Sequence, residues 1–166
     1  FNDMENDGYF EQTNLGKIKI MDPTCGVGTL LIESSNHYTR YIESKLSDSK
    51  QCQETISEFR NNGIIGQDKV DRMVRLSKIN ALLLGSNISN INSGNSIIGT
   101  SSISSYFNSI DLIFTNPPFG AEYNTSELNL NEYSVFNFFN SKPSNIASEL
   151  LMLAKCIALL KENGYL

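Results

Sequence analysis

Asn116-Pro117-Pro118-Phe119 follows directly on the apolar run Ile110-Asp111-Leu112-Ile113-Phe114-Thr115. Neither proline can donate a backbone hydrogen bond and each fixes its own φ, so a strand must stop there. What is left is a rigid, extended turn that offers one amide and one aromatic ring. If it stands at the carboxyl end of a strand in an open α/β sheet, it stands where such sheets bind ligands. An amide that accepts hydrogen bonds, beside a ring that can stack, suits a planar substrate bearing an amino group. Taken alone, the tetrad reads equally well as a proline-stiffened loop with a buried Phe.

A second constellation lies upstream. Asp22-Pro23-Thr24-Cys25-Gly26-Val27-Gly28-Thr29 puts a Gly-rich turn between an apolar run, Ile18–Met21, and a helical pattern. Such turns let a ligand approach the backbone closely. A dinucleotide fingerprint would need a small residue at position 31, where Leu31 stands, so NAD and FAD are disfavoured. No Gly-Lys-Ser/Thr triplet supplies a P-loop, and the acid Asp22 favours a positively charged ligand, an ammonium or a sulfonium. Asp68 ends a second apolar run and fits two roles, a ribose-hydroxyl acceptor or a helix N-cap. His37 falls within a helical pattern and suits helix packing better than base catalysis. Cys25 reads as a packing residue, with nothing nearby to activate a thiolate.

These residues need a scaffold, and the pattern of the chain indicates one. Residues 1–16 are polar and without period, a flexible lead-in. Strands are expected at 18–21, 64–65, near 91–98 and at 110–115. Helices are expected at about 29–46, 50–60, 69–84 and 149–162, with Ser148 as a cap for the last. Val70, Met73, Val74, Leu76, Ile79, Leu82, Leu83 and Leu84 mark the clearest amphipathic helix, closed by Gly85. Leu150, Leu151, Leu153, Ala154, Ile157, Leu159 and Leu160 are expected to form the buried side of the last one. Residues 121–145 show no period and read as a long loop over the strand ends. Strands alternating with helices indicate an α/β fold with a mostly parallel sheet and helices on both faces.

Composition narrows the class. The 166 residues suffice for one domain, and 40% are hydrophobic, which is ordinary for a globular chain. No apolar run approaches the roughly 20 residues that span a bilayer. Three cysteines, Cys25, Cys52 and Cys156, are too few and too scattered for a disulfide frame or a metal cluster. A reducing, cytoplasmic setting is the default expectation, with no metal and no membrane partner. The net charge is −5 with basic residues dispersed, so a nucleic-acid substrate would be gripped mainly by another domain or subunit.

In order, the motifs are Asp22-Pro-x-Cys-Gly-x-Gly, Gly66-x-Asp68, Gly94-Asn95-Ser96 and Asn116-Pro-Pro-Phe-Gly120. That order resembles the N6-adenine DNA methyltransferases, in particular the methylation subunits of type I restriction-modification systems, over roughly residues 15–166. The segment Leu150–Leu166 is similar to their helix-to-strand stretch after the catalytic loop. The resemblance implies a Rossmann-like, class I S-adenosylmethionine-dependent methyltransferase fold. Residues 17–166 would form its catalytic core, incomplete at the C-terminal end and inactive alone. It implies that Asp22, Thr24 and Gly26 hold the methionine part of S-adenosylmethionine, within a cofactor turn that includes Pro23 and Gly28. Asp68 would take the ribose hydroxyls, and Asn95 would accept from the cofactor's adenine amine through its side-chain carbonyl.

By the same resemblance, Asn116, Pro117, Pro118 and Phe119 form the catalytic turn. The Asn116 side-chain and Pro117 backbone carbonyls would each accept one N–H of a flipped adenine in double-stranded DNA. Phe119 would stack on that base; Tyr123 and Tyr133 in the following loop fit a further contact or a structural role equally well. A specificity subunit and a restriction subunit are the implied partners. Three alternatives remain at this point: a ribosomal-RNA guanine-N2 methyltransferase, a protein-glutamine methyltransferase, and a non-catalytic scaffold.

Overall fold

Ile20–Asp22 forms β1, buried along its whole length, and the main sheet is assembled around it. The computed structural model describes residues 2–11, 13–98, 101–129 and 144–166. In it β1 pairs in parallel with β2 (Ile64–Asp68) on one side and β4 (Ile110–Ile113) on the other. β3 (Ile91–Ser93) flanks β2, and β7 (Leu160–Tyr165) flanks β4, so the order is β3-β2-β1-β4-β7 with every pair parallel. The chain runs outward from β1 to β3 and then crosses back to β4. The direction of winding therefore reverses between β1 and β4, which is where a parallel sheet opens a crevice at its carboxyl edge.

Alternation along the strands feeds two cores. Ile20, Ile64 and Leu112 face one layer, made of α2 (Thr29–Lys45), α3 (Ser49–Asn62) and α4 (Asp71–Leu83). Met21, Ile65 and Ile113 face the other, made chiefly of α5 (Ser148–Leu159) and the single turn Ser102–Tyr106. Ile110 and Leu112 should share a face, yet they enter opposite cores. The cause is an irregularity in β4: the Lys19 carbonyl accepts from both Asp111 N and Leu112 N at 3.1 Å, and the register with β7 shifts there.

Several expectations change. The lead-in is not irregular: α1 (Asn2–Asn6) and the turn Tyr9–Glu11 bury Met4 and Phe10 against Tyr38 and Tyr41. Tyr9 Oη donates to Asp111 Oδ1 at 2.7 Å and fixes this segment to the sheet. In α4 the buried stripe is Val74-Ser77-Ala81, while Leu76, Ile79, Leu82 and Leu83 are exposed. Small residues are needed on that stripe because Ser77 meets the backbone at Gly28. In α5 the buried residues include Leu151, Met152, Ala154, Cys156 and Leu159, and Leu150, Leu153 and Ile157 are exposed.

Helix α5 also stops at Leu159, where Leu160 turns extended and enters β7. Ser148 is its first helical residue and Ala147 takes the cap position. The 121–145 stretch is not all loop: β5 (Glu122–Asn124) and β6 (Asn145–Ala147) pair antiparallel in a separate hairpin. Residues 130–143, and Tyr133 with them, lie outside the described residues. Among the described residues no helix is long and apolar enough to cross a membrane.

Candidate active site

Four of the five parallel strands, β1 to β4, each deliver one piece of the site at the carboxyl end. β1 runs into the Pro23–Gly28 turn, β2 into Asp68, β3 into Gly94-Asn95-Ser96 and β4 into Asn116–Phe119. Together these segments line one cavity of about 530 Å³. Pro23, Thr24, Gly26, Asp68, Asn95, Asn116, Pro117, Pro118 and Phe119 all contribute to its wall. Of the residues expected at the site, Asp22 and Gly28 do not, and each has a different task.

Asp22 is 2% exposed and lies beneath the turn. Its Oδ1 accepts from Thr24 N at 2.9 Å, closing the turn by a local side-chain-to-backbone bond. Burial pushes its pKa up to about 6, and the Asp68 carboxylate adds to that rise, while the Thr24 amide and the Thr115 and Thr24 hydroxyls oppose it. Gly28 has φ +85° and caps α2. A Cβ there would lie 2.5 Å from Ser77 Oγ, so its bareness serves the contact between the turn and α4. Gly26, at φ +52°, is the contrary case: a Cβ there would meet nothing within 4 Å. Its backbone edge is open for a ligand.

Asp68 braces the Gly-turn side of the cavity. Its Oδ2 accepts from Gly26 N at 3.0 Å and its Oδ1 from Val70 N at 2.8 Å. One carboxylate thus braces the Gly turn and the entry to α4, whose cap position is Val70. Each oxygen keeps acceptor capacity for a hydroxyl. Asn95 departs from expectation in its chemistry. Its Oδ1 already accepts from Ile97 N at 2.9 Å and Ile98 N at 3.4 Å. Backbone amides only donate, so the carbonyl end is fixed by them. What Asn95 has left for a ligand is its amide donor, not the acceptor expected of it.

The Asn116–Phe119 side of the cavity is joined to the Gly-turn side directly. Thr115 Oγ1 lies 2.8 Å from Thr24 Oγ1, and Phe114 N donates to Met21 O at 3.1 Å. Phe119 is 76% exposed, which removes the reading of the tetrad as a loop around a buried ring. Tyr123, on β5, joins the lining as anticipated. His37 is exposed on α2 and is not part of the wall. Cys25 is buried, and burial raises its thiol to about 12, which suits a packing role.

Some contributors were not anticipated. Gln67 is fully buried; its Nε2 donates to Ser96 Oγ (2.8 Å) and Ser101 Oγ (2.6 Å), and its Oε1 accepts from Ser102 Oγ (2.6 Å). Ser96 Oγ in turn donates to Pro23 O at 2.6 Å. This network ties the β3 loop to the Gly turn from below. The signal was present in the sequence: the strand period puts Gln67 on the same face as Ile65, and a polar residue at a core position needs partners. Met73, Ile97 and Met152 supply apolar wall, and no motif marks them.

With the geometry established, relatives can be compared. The family model described as N-6 DNA methylase matches residues 12–166. Among solved structures, the type I restriction enzyme EcoKI M protein is similar, with TM-score 0.60 and 23% identity, covering 89% of this chain and 29% of that one. A type I restriction-modification methyltransferase subunit from Streptococcus thermophilus gives TM-score 0.57 and 18% identity, covering 97% and 31%. A nuclease-deletion mutant of the type ISP restriction-modification enzyme LlaGI, in complex with a DNA substrate mimic, gives TM-score 0.65 and 14% identity, covering 98% and 18%. The chain therefore spans less than a third of the length of each of these three. No curated protein matches it. The chain belongs to the N-6 DNA methylase family, and its α/β sheet has the fold of those enzymes.

Proposed function

We propose that this chain is the methyl-transfer core of a DNA methyltransferase acting on the N6 amino group of adenine, within a cytoplasmic restriction-modification system. The observation that carries the reading is the shared cavity, with the Gly turn, Asp68 and Asn95 on one side and Asn116–Phe119 on the other. The donor side fits S-adenosylmethionine on its own chemistry. Gly26 leaves open space where a side chain would stand, and the Asp68 carboxylate lies on the cavity wall, with Asp22 buried behind the turn. The Asp68 charge suits a ligand with ammonium and sulfonium charges. Asp68 would hold the ribose hydroxyls, Asn95 would donate to the base, and Thr24 and Gly26 would border the amino-acid end. When bound, S-adenosylmethionine supplies a methyl carbon attached to positively charged sulfur.

The chain's own task is to make a poor nucleophile competent. An exocyclic adenine amine has its lone pair delocalised into the ring. Two carbonyl acceptors, Asn116 Oδ1 and Pro117 O, would each accept one of its N–H groups and pull the nitrogen from planar toward tetrahedral geometry, freeing the lone pair for in-line attack on the methyl carbon. The rate gain then comes largely from positioning. No strong base is required, because the nitrogen's proton becomes acidic once the methyl is attached. Phe119, exposed at the cavity, is suited to stack on a base flipped from a duplex. The specificity and restriction partners belong to the same reading.

The deciding experiment is transfer of labelled methyl by the complete parent protein to adenine-containing duplex, ribosomal RNA and protein. Label in N6-methyladenine is expected. Label in RNA guanine or in glutamine, with none in DNA, would overturn the assignment.

A further inference from the structure

We propose that Glu149, seconded by Ser148, is a positioning residue that sets the acceptor turn by holding the Gly120 amide, and that Asn116 and Phe119 depend on it for their orientation. The inference rests on the reading of Asn116–Phe119 as the amine-holding turn.

The turn has little else to hold it. Between the end of β4 at Ile113 and the start of β5 at Glu122 there is no regular structure. Pro117 and Pro118 have no N–H with which to anchor themselves, and the Phe119 ring is mostly in solvent. The near end is fixed by Phe114 N to Met21 O and by the Thr115–Thr24 hydroxyl pair. The far end is fixed by α5 alone among the described hydrogen bonds of the turn. Gly120 N donates to Glu149 Oε1 at 2.8 Å, Ser148 Oγ donates to Pro118 O at 3.2 Å, and Ser148 N donates to Ala121 O at 2.8 Å. Ser148 Oγ also lies 3.0 Å from Glu149 Oε2, so its one proton is shared between that carboxylate and the Pro118 carbonyl.

Helix α5 is a rigid support. Leu151 is 0% exposed, and Met152, also buried, reaches the cavity wall. A carboxylate in the first turn of a helix is itself favoured by the helix dipole, and a charged acceptor makes the stronger bond to an amide. In agreement, the Gly120 amide is the leading influence holding the Glu149 carboxyl below its usual range. Gly120 sits at φ +82°, a conformation in which its amide is directed by the turn and not by a strand. Ser148 meanwhile donates to the Pro118 carbonyl, next to the Pro117 carbonyl assigned to the amine.

The test compares E149A with E149Q in the complete parent protein. Gln keeps an oxygen for the Gly120 amide and Ala does not. E149A is expected to lower kcat roughly tenfold or more, with KM for S-adenosylmethionine within about twofold of native, and E149Q to restore most of the loss. Hydrogen exchange supplies an arm independent of activity. In E149A the Gly120 and Ala121 amides should exchange faster, while α5 beyond its first turn stays protected. Unchanged exchange at Gly120, or kcat within about twofold of native, overturns the proposal. Faster exchange spreading through Leu151–Leu159 with a parallel loss of cofactor affinity also overturns it, because that is a general loosening of the helix. If the native parent methylates no adenine, the functional reading fails on its own, and the exchange arm still decides the clamp.

Discussion

Asn95 and Asp22 show how single atoms change the chemistry read from a motif. The sequence places an amide at residue 95, but only the loop geometry reveals that Ile97 N and Ile98 N have claimed its oxygen. An Asp there could satisfy the backbone with one oxygen and offer the other to an amine. N95D is therefore expected to tighten S-adenosylmethionine binding roughly fivefold, the margin between neutral and charged hydrogen bonds, as read by calorimetry. Asp22 makes a pH prediction. Its pKa is raised from 3.8 to about 6, so the folded state holds a proton that the unfolded state has released between those values. Stability from this group is thus lost as pH rises from about 4 to about 6. The D22N variant lacks this dependence, and its melting temperature should gain on the native protein over that window. A cationic ligand prefers the ionised carboxylate, so native affinity should rise through pH 6 and that of D22N should not.

At the scale of elements, the strands and helices that deliver the site were legible because each follows an apolar run closed by Gly, Asn or Pro. The strand β4 ends at Ile113, short of the prolines that were expected to stop it, and α3 ends at Asn62 with Gly63 as its cap, as composition implied. What was not legible is which side of α4 and α5 is buried. Periodicity marked α4 as amphipathic but chose the wrong stripe, since tertiary contacts bury Ser77 there and Lys155 in α5 while neighbouring Leu and Ile residues stay exposed. The hairpin was hidden for the opposite reason: Glu122–Asn124 and Asn145–Ala147 are three residues each, too short to show a period. The Gly28–Ser77 contact makes this scale testable. G28A adds a Cβ at positive φ against Ser77 and should cost about 2 kcal/mol in unfolding experiments. Removing the partner in S77G should recover the steric part and leave the backbone part.

The whole molecule divides its labour between the two edges of one sheet. At the amino edge Asp111, fully buried, takes hydrogen bonds from Tyr9 Oη, Lys19 N and Lys161 Nζ and binds the first and last segments together. At the carboxyl edge the loops of β1 to β4 converge on a single cavity, and that convergence was foreseeable once the strand order was assumed. The support beneath it was not read: Gln67 is the unassigned middle position of Gly66-x-Asp68, marked only by the strand period, and Glu149 belongs to no motif. On the proposed function, a net charge of −5 means that the grip on DNA phosphates would come mainly from outside these 166 residues, and the core would contribute chemistry more than affinity. That division predicts that the two sides of the cavity fail independently. The direct measurement is adenine methylation and S-adenosylmethionine affinity for N116A in the complete parent protein. The account predicts a rate loss of roughly a hundredfold or more with cofactor affinity unchanged. Methylation at the native rate, or a loss explained wholly by weaker cofactor binding, would contradict it.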